Sequence, residues 1–93
     1  MIIIGQNKKI ICNYNNVTNI SIKENLDSYS IYLHFIDGQR GIIAEFKTKN
    51  RCIEILQEIA NFYNESENVK VLENLDVLSL LDNKKFVYEI PEV

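Results

Sequence analysis

Apolar and polar positions alternate over most of the first half of the chain and change period in the second half. Ile2 to Ile4 is a short apolar run, closed by Gly5-Gln6-Asn7. Lys9 to Cys12 resumes β-branched character. Asn13-Tyr14-Asn15-Asn16 predicts a turn, because asparagine tolerates left-handed backbone and bonds its own main chain. From Val17 to Lys23 the residues alternate, with Thr18, Ile20 and Ile22 on one side. A period of two is the signature of a half-buried strand. Asn25-Leu26-Asp27-Ser28 interrupts it.

Tyr29 to Phe46 carries the strongest local signal. Two alternating runs flank Asp37-Gly38, which predicts a two-residue hairpin with a type I′ turn. That turn sets a register in which Leu33 faces Ile42, Ile31 faces Ala44 and Tyr29 faces Phe46. Together with Phe35 these form the expected core face. The opposite face holds Ser30, Tyr32, His34 and Ile36 against Glu45, Ile43, Gly41 and Gln39. It is mixed in character, and either more chain or a partner is expected to cover it.

The period then becomes helical. Cys52, Leu56, Ile59, Ala60 and Tyr63 recur at helix spacing from Thr48 to about Asn64. Thr48 or Asn50 supplies an N-cap and Asn64 an exit. Ile53, Ile55 and Phe62 fall partly off the stripe. Glu65 to Asn68 reads as a polar break. Val69, Leu72, Leu75, Leu78 and Leu81 then repeat every third residue, which predicts a second helix over 69–82, although Val69, Val71 and Val77 favour a strand. Phe86, Tyr88 and Ile90 alternate into a closing strand that Pro91 ends. The expectation is an α+β fold: one antiparallel curved sheet of five to six strands, one long helix and a second helix.

Composition narrows the class without naming a chemistry. Ninety-three residues, 46% of them hydrophobic, suit a single domain, residues 1–93, with its own core. The longest apolar run is Met1 to Ile4, far short of the roughly 20 residues of a membrane span. No basic segment followed by an apolar stretch marks a secretory leader. Cys12 and Cys52 are too few for a disulfide scaffold, so two reduced thiols in a cytoplasm are expected. Abundant asparagine, isoleucine and lysine suggest an A/T-rich bacterial or mobile-element genome. Residues 1–49 carry a formal charge of +2 and residues 50–93 one of −5. Excess acid usually serves solubility, and its sharper reading is a surface that docks on a basic site of a nucleic-acid enzyme.

The chain resembles small uncharacterised proteins of low-GC bacteria and their phages. The resemblance lies in Asn16-Val17 leading to Ile20, the Asp37-Gly38 hairpin, Thr48 opening a helix, and Tyr88-Glu89-Ile90-Pro91-Glu92. It covers residues 1–64 and 85–93, and it implies a curved sheet with a helix, similar to a pleckstrin-homology-like fold. It carries no catalytic residues. An acidic residue would be expected soon after the Thr48 cap, where this chain has Lys49, Asn50 and Arg51.

The candidate chemistry is sparse. Lys47, Lys49 and Arg51 surround a helix N-terminus, whose free N–H groups favour an anion. The plainer reading is a solvated basic cluster with no glycine-rich phosphate loop before it. His34 lacks convergent ligands, so neither a metal nor a cofactor is expected. Cys52 sits near Arg51 but on the core stripe, which favours packing over reactivity. Glu54 with Glu58 and Glu65 with Glu67 lack a partner for acid–base work. Five tyrosines could stack bases, but such binders also need a basic groove.

The leading expectation is a non-enzymatic interaction protein that binds a protein partner or itself through Tyr32, His34 and Ile43. One form of it is a phage-encoded inhibitor of a nucleic-acid enzyme. The alternative is an anion, nucleotide or nucleic-acid binding domain built on Lys47, Lys49 and Arg51.

Overall fold

The computed structural model describes residues 1–72 and 87–93, with side chains in the helix followed as far as Glu65. Six strands and one α-helix are present among them: β1 Ile2–Ile4, β2 Ile11–Asn13, β3 Val17–Glu24, β4 Tyr29–Phe35, β5 Arg40–Phe46, α1 Lys49–Leu72 and β6 Val87–Glu89. A single 3₁₀ turn, Tyr14–Asn16, joins β2 to β3, with Asn13 Oδ1 accepting the Asn15 N–H at 3.0 Å. The strands do not form one curved antiparallel sheet. They form two three-stranded sheets, β2-β1-β6 and β3-β4-β5. The first is mixed, since β1 pairs antiparallel with β2 and parallel with β6. A parallel pair needs a long crossover, and the chain between β1 and β6 contains the second sheet and the helix.

The expected second helix over 69–82 is corrected in its first residues. The helix α1 runs unbroken through the polar stretch 65–68 to Leu72. Glu65-Ser66-Glu67-Asn68 contains neither glycine nor proline, and glutamate is a good helix former, so polarity alone does not stop the helix. Residues 73–82 of that expected helix lie outside the described residues. At the other end Thr48 is the N-cap, its Oγ1 accepting the Arg51 N–H at 3.2 Å.

The β4–β5 hairpin differs from a two-residue loop in one respect that governs the rest. Phe35 C=O accepts the Gly38 N–H at 3.0 Å, and Phe35 N–H donates to Gln39 C=O at 2.8 Å. The loop is thus three residues, Ile36-Asp37-Gly38, with Gly38 at φ +87°. Lys8 is the only non-glycine with positive φ among the described residues, so Asp37 keeps an ordinary φ and a type I′ turn is excluded. Asp-Gly suits the three-residue loop equally well, with glycine in the left-handed position. Near the turn, His34 pairs with Arg40, Leu33 with Gly41 and Tyr32 with Ile42. The expected Leu33–Ile42 pair is therefore not formed.

A bulge at Ile43 then restores the expected pairing of Ile31 with Ala44 and Tyr29 with Phe46. A bulge lets two successive residues turn to one side, and Ile43 and Ala44 are both buried. The Ile43 C=O, turned away from β4, accepts the Gln6 N–H at 2.8 Å. Gln6 Oε1 accepts the Glu45 N–H at 2.9 Å, and Gln6 Nε2 donates to Glu92 C=O at 2.8 Å. One glutamine side chain thus ties the β1–β2 hairpin, the edge of β5 and the last residues together.

One core serves both sheets. Ile3 and Ile90 come from the first sheet, Ile31, Leu33 and Phe46 from the second, and Cys52, Ile55 and Ile59 from α1. Each fully buried aliphatic side chain contributes about 1.5–3 kcal/mol. Ile55, expected off the stripe, is central, whereas Ala60 is exposed. Tyr14 packs on Tyr63 and Phe62 on Tyr88, with ring centroids 5.1 and 5.6 Å apart. The second pair binds β6 of the first sheet to the helix, and the first binds the 3₁₀ turn after β2 to it.

Gly38 has open space around its Cα, so a side chain there meets only backbone strain. Gly38→Val should lower stability in a urea melt by about 1–2 kcal/mol, and Gly38→Asn by clearly less. Equal stability in all three proteins would refute the assigned turn.

Candidate interaction face

The outer face of the β3-β4-β5 sheet is the side turned away from α1. Alternation fixes its members once the two registers are known. Tyr32 lies between Ser21 and Ile42, and His34 between Asn19 and Arg40. Ser30, one pair further, lies between Lys23 and Glu45. Lys23, Arg40 and Ile42 are exposed, while Tyr32 and His34 are half-buried.

Tyr32 is the centre of the face. The Lys23 ammonium lies 6.0 Å from its ring centroid and the Arg40 guanidinium 5.6 Å. Cation–π attraction holds both cations over the aromatic ring at about 0.5–1 kcal/mol each when exposed. Strand pairing positions them, since Lys23 is the penultimate residue of β3 and Arg40 the first of β5, on either side of β4. His34 Nε2 is 2.9 Å from Ser21 Oγ, and Thr18 Oγ1 donates to the His34 C=O at 3.1 Å. A serine and histidine at this distance have the reach of a nucleophile and its base. The backbone of β4 is paired on both sides, so its N–H groups are spent in the ladders rather than aimed at a developing oxyanion. The pair serves to orient the imidazole on the face.

Of the three expected interaction residues, the structure brings Tyr32 and His34 together and removes Ile43. Ile43 is 3% exposed and belongs to the core. The bulge reverses its side, and Ile42, 44% exposed, takes its place beside Tyr32. Lys23 and Arg40 were missed. Under the expected two-residue loop Arg40 falls opposite Phe35 on the core side, and only the three-residue loop brings it to this face beside His34. Lys23 becomes visible only with the β3–β4 register, which a loop of Asn25 to Ser28 does not encode as a hairpin dipeptide does.

The basic cluster at the start of α1 is only partly assembled. Lys47 and Arg51 line a groove of about 630 Å³ with Ser28, Phe46, Thr48 and Val93, and Lys49 does not line it. Glu45, Glu54 and Glu92 share the same groove. Arg51 lies over Phe46 at 5.6 Å, donates to the Val93 C=O at 3.0 Å and pairs with Glu54 at 3.5 Å. Its charge is thus already engaged, and carboxylates outnumber the cations around it.

Of the remaining reactive groups, Cys52 lies in the core and Cys12 and Tyr88 pack against it. Cys12 and Cys52 are free thiols, and burial pushes both thiol pKa values up. Cys52 Sγ rests 3.7 Å from the Tyr29 C=O. Tyr88 OH donates to Glu58 Oε2 at 2.6 Å on the flank of α1. Burial, then that carboxylate, raises the Tyr88 hydroxyl far above the ordinary phenol range. Among the described residues no three metal-ligating side chains come together, and no described helix is long and apolar enough to cross a membrane.

Comparison with family models, with curated proteins and with solved structures gives no match.

Burial raises the Tyr14 hydroxyl as well, aided by Tyr63. The folded state therefore binds protons at Tyr14 and Tyr88 more tightly than the unfolded chain does. Their contribution is complete below the unfolded value of about 10 and declines as pH rises past it. An ultraviolet titration should show a late-ionising tyrosine that disappears in Tyr88→Phe. An unchanged curve in that variant would contradict the Tyr88–Glu58 bond.

Proposed function

We propose that this chain is a non-enzymatic interaction domain that binds an acidic protein partner through the outer face of the β3-β4-β5 sheet. The observation that supports this reading is the placement of Lys23 and Arg40 on either side of Tyr32, on strands locked in register. A guanidinium held over an aromatic ring still has N–H edges to offer, and these match a carboxylate in a two-point contact. Tyrosine and arginine are the residues that most often dominate protein interfaces. Ile42 supplies an apolar neighbour on the same face.

A nucleobase is a poorer fit. Stacking on Tyr32 would compete with the two cations already lying over its ring. The anion site of Lys47, Lys49 and Arg51 is disfavoured by the carboxylates that share its groove. An inhibitor that occupies a basic site on a nucleic-acid enzyme would need a face of the opposite charge, so the Tyr32 face does not favour that version. We place the protein in the cytoplasm, a reading supported by two thiols that are both free.

Amide-resolved NMR titration with polyglutamate, and separately with oligothymidylate, tests the reading. Polyglutamate should shift the signals of Tyr32, Arg40 and Ile42, and the shifts should fade with added salt. The double variant Lys23→Glu/Arg40→Glu should abolish them while lowering stability by no more than about 1–2 kcal/mol, the worth of the two cation–π contacts, so that the fold is kept. Shifts confined to residues 47–51, or binding of the oligonucleotide alone, would overturn it.

A further inference from the structure

We propose that the acidic partner of the Tyr32 face is a second copy of this chain, presented through the exposed stripe Glu54, Glu58 and Glu65 of α1. This inference rests on the reading of the Tyr32 face given above. At 100° per residue, positions 54, 58 and 65 fall within a narrow arc of the helix, one turn and then about two turns apart. All three glutamates are exposed. The core residues Cys52, Ile55 and Ile59 lie on a different arc and face the sheets.

The spacing is complementary to the basic face. Lys23 and Arg40 lie 6.0 and 5.6 Å from one ring centroid, so their charges are separated by little more than two helical turns at most. A helix laid across the sheet can therefore set one glutamate near each cation. Phe62 and Tyr88 border the stripe beside Glu58 and Glu65, offering apolar surface to Ile42.

The contact cannot form within one molecule. The helix α1 packs on the inner side of the β3-β4-β5 sheet, so the acidic stripe and the Tyr32 face point away from each other. A symmetric face-to-face dimer of the two sheets is the poorer match: Glu45 is the one carboxylate the face sets against Lys23 and Arg40, it already accepts from Ser28 Oγ, and Ile43, which lies in the core, adds no apolar contact. The remaining arrangement is head-to-tail, the basic face of one copy on the acidic helix of the next. Head-to-tail contacts extend unless their rotation closes a ring. Exposed ion pairs are individually weak and screened by salt, so association belongs to high protein concentration and low ionic strength.

Light scattering on the whole chain, from micromolar to millimolar protein, is the test. At low salt the mass should climb above the 10.9 kDa of one chain, and high salt should return it to that value. Lys23→Glu/Arg40→Glu and Glu54→Lys/Glu65→Lys should each remain monomeric, with Glu58 left intact to keep its bond to Tyr88. Their equimolar mixture should regain the larger mass, because each supplies the face that the other lacks. A second measurement needs no variant: on dilution of the parent protein, NMR shifts should move at Tyr32 and Ile42 together with Glu54 and Glu65. A parent protein monomeric at millimolar concentration and low salt would overturn the inference, as would association that persists in either variant or dilution shifts elsewhere. If the parent is monomeric yet binds polyglutamate at Tyr32, the second copy is excluded and the acidic-partner reading stands.

Discussion

A single extra residue in β5 decides which side chains this protein hides and which it shows. The three-residue loop at Ile36-Asp37-Gly38 offsets the β4–β5 pairing by one position, and a one-residue slip moves side chains to the other face of a sheet. The bulge at Ile43 cancels the offset before Ala44 and Phe46 reach the core. It also turns the Ile43 carbonyl outward, where the Gln6 N–H meets it. Gln6 then bonds Glu45 and the backbone of Glu92. Bulge and glutamine form one joint between two sheets that share no ladder.

The same joint explains how much of the molecule could be read from its residues. Alternation in 17–23 and 29–46, the Thr48 cap and the aliphatic stripe of the helix all report local backbone preferences, and each corresponds to an observed element. The pairs Ile31–Ala44 and Tyr29–Phe46 were legible for that reason. The bulge was not, because Ile42-Ile43-Ala44 is apolar throughout and carries no mark of which residue is extra. Nor was the split into two sheets, since Gln6 looks like an ordinary polar residue at a strand end. Its bonds to Glu45 and Glu92 reach 39 and 86 residues along the chain, and no local pattern encodes them. The end of the helix was misplaced for the converse reason: a polar run was read as a break although its residues favour helix.

The interaction face follows from the same two registers. With a two-residue loop, Ile43 would stand beside Tyr32 on a face of mixed character. With the bulge, Ile43 goes inside, and the surface that remains is one tyrosine, two cations, an imidazole held by a serine, Ile42 and one carboxylate, Glu45. Its sign is opposite to that of the chain as a whole. On the proposed reading, charge rather than hydrophobic area governs what this face attracts, which makes salt the natural variable with which to probe it. In the proposed head-to-tail contact the helix supplies the complementary surface, because its inner arc is committed to the core and Glu54, Glu58 and Glu65 are exposed.

Amide hydrogen exchange at Glu45 in the parent protein and in Gln6→Ala tests the joint most directly. The Glu45 N–H donates to the Gln6 side chain, not to β4, so its protection depends on that one bond. Losing the bond should speed its exchange by about tenfold relative to the amides in the middle of β4, the equivalent of about 1.4 kcal/mol of local opening. If the Glu45 amide exchanges at the same relative rate in both proteins, Gln6 does not hold the bulged strand, and the account of how the two sheets are joined is wrong.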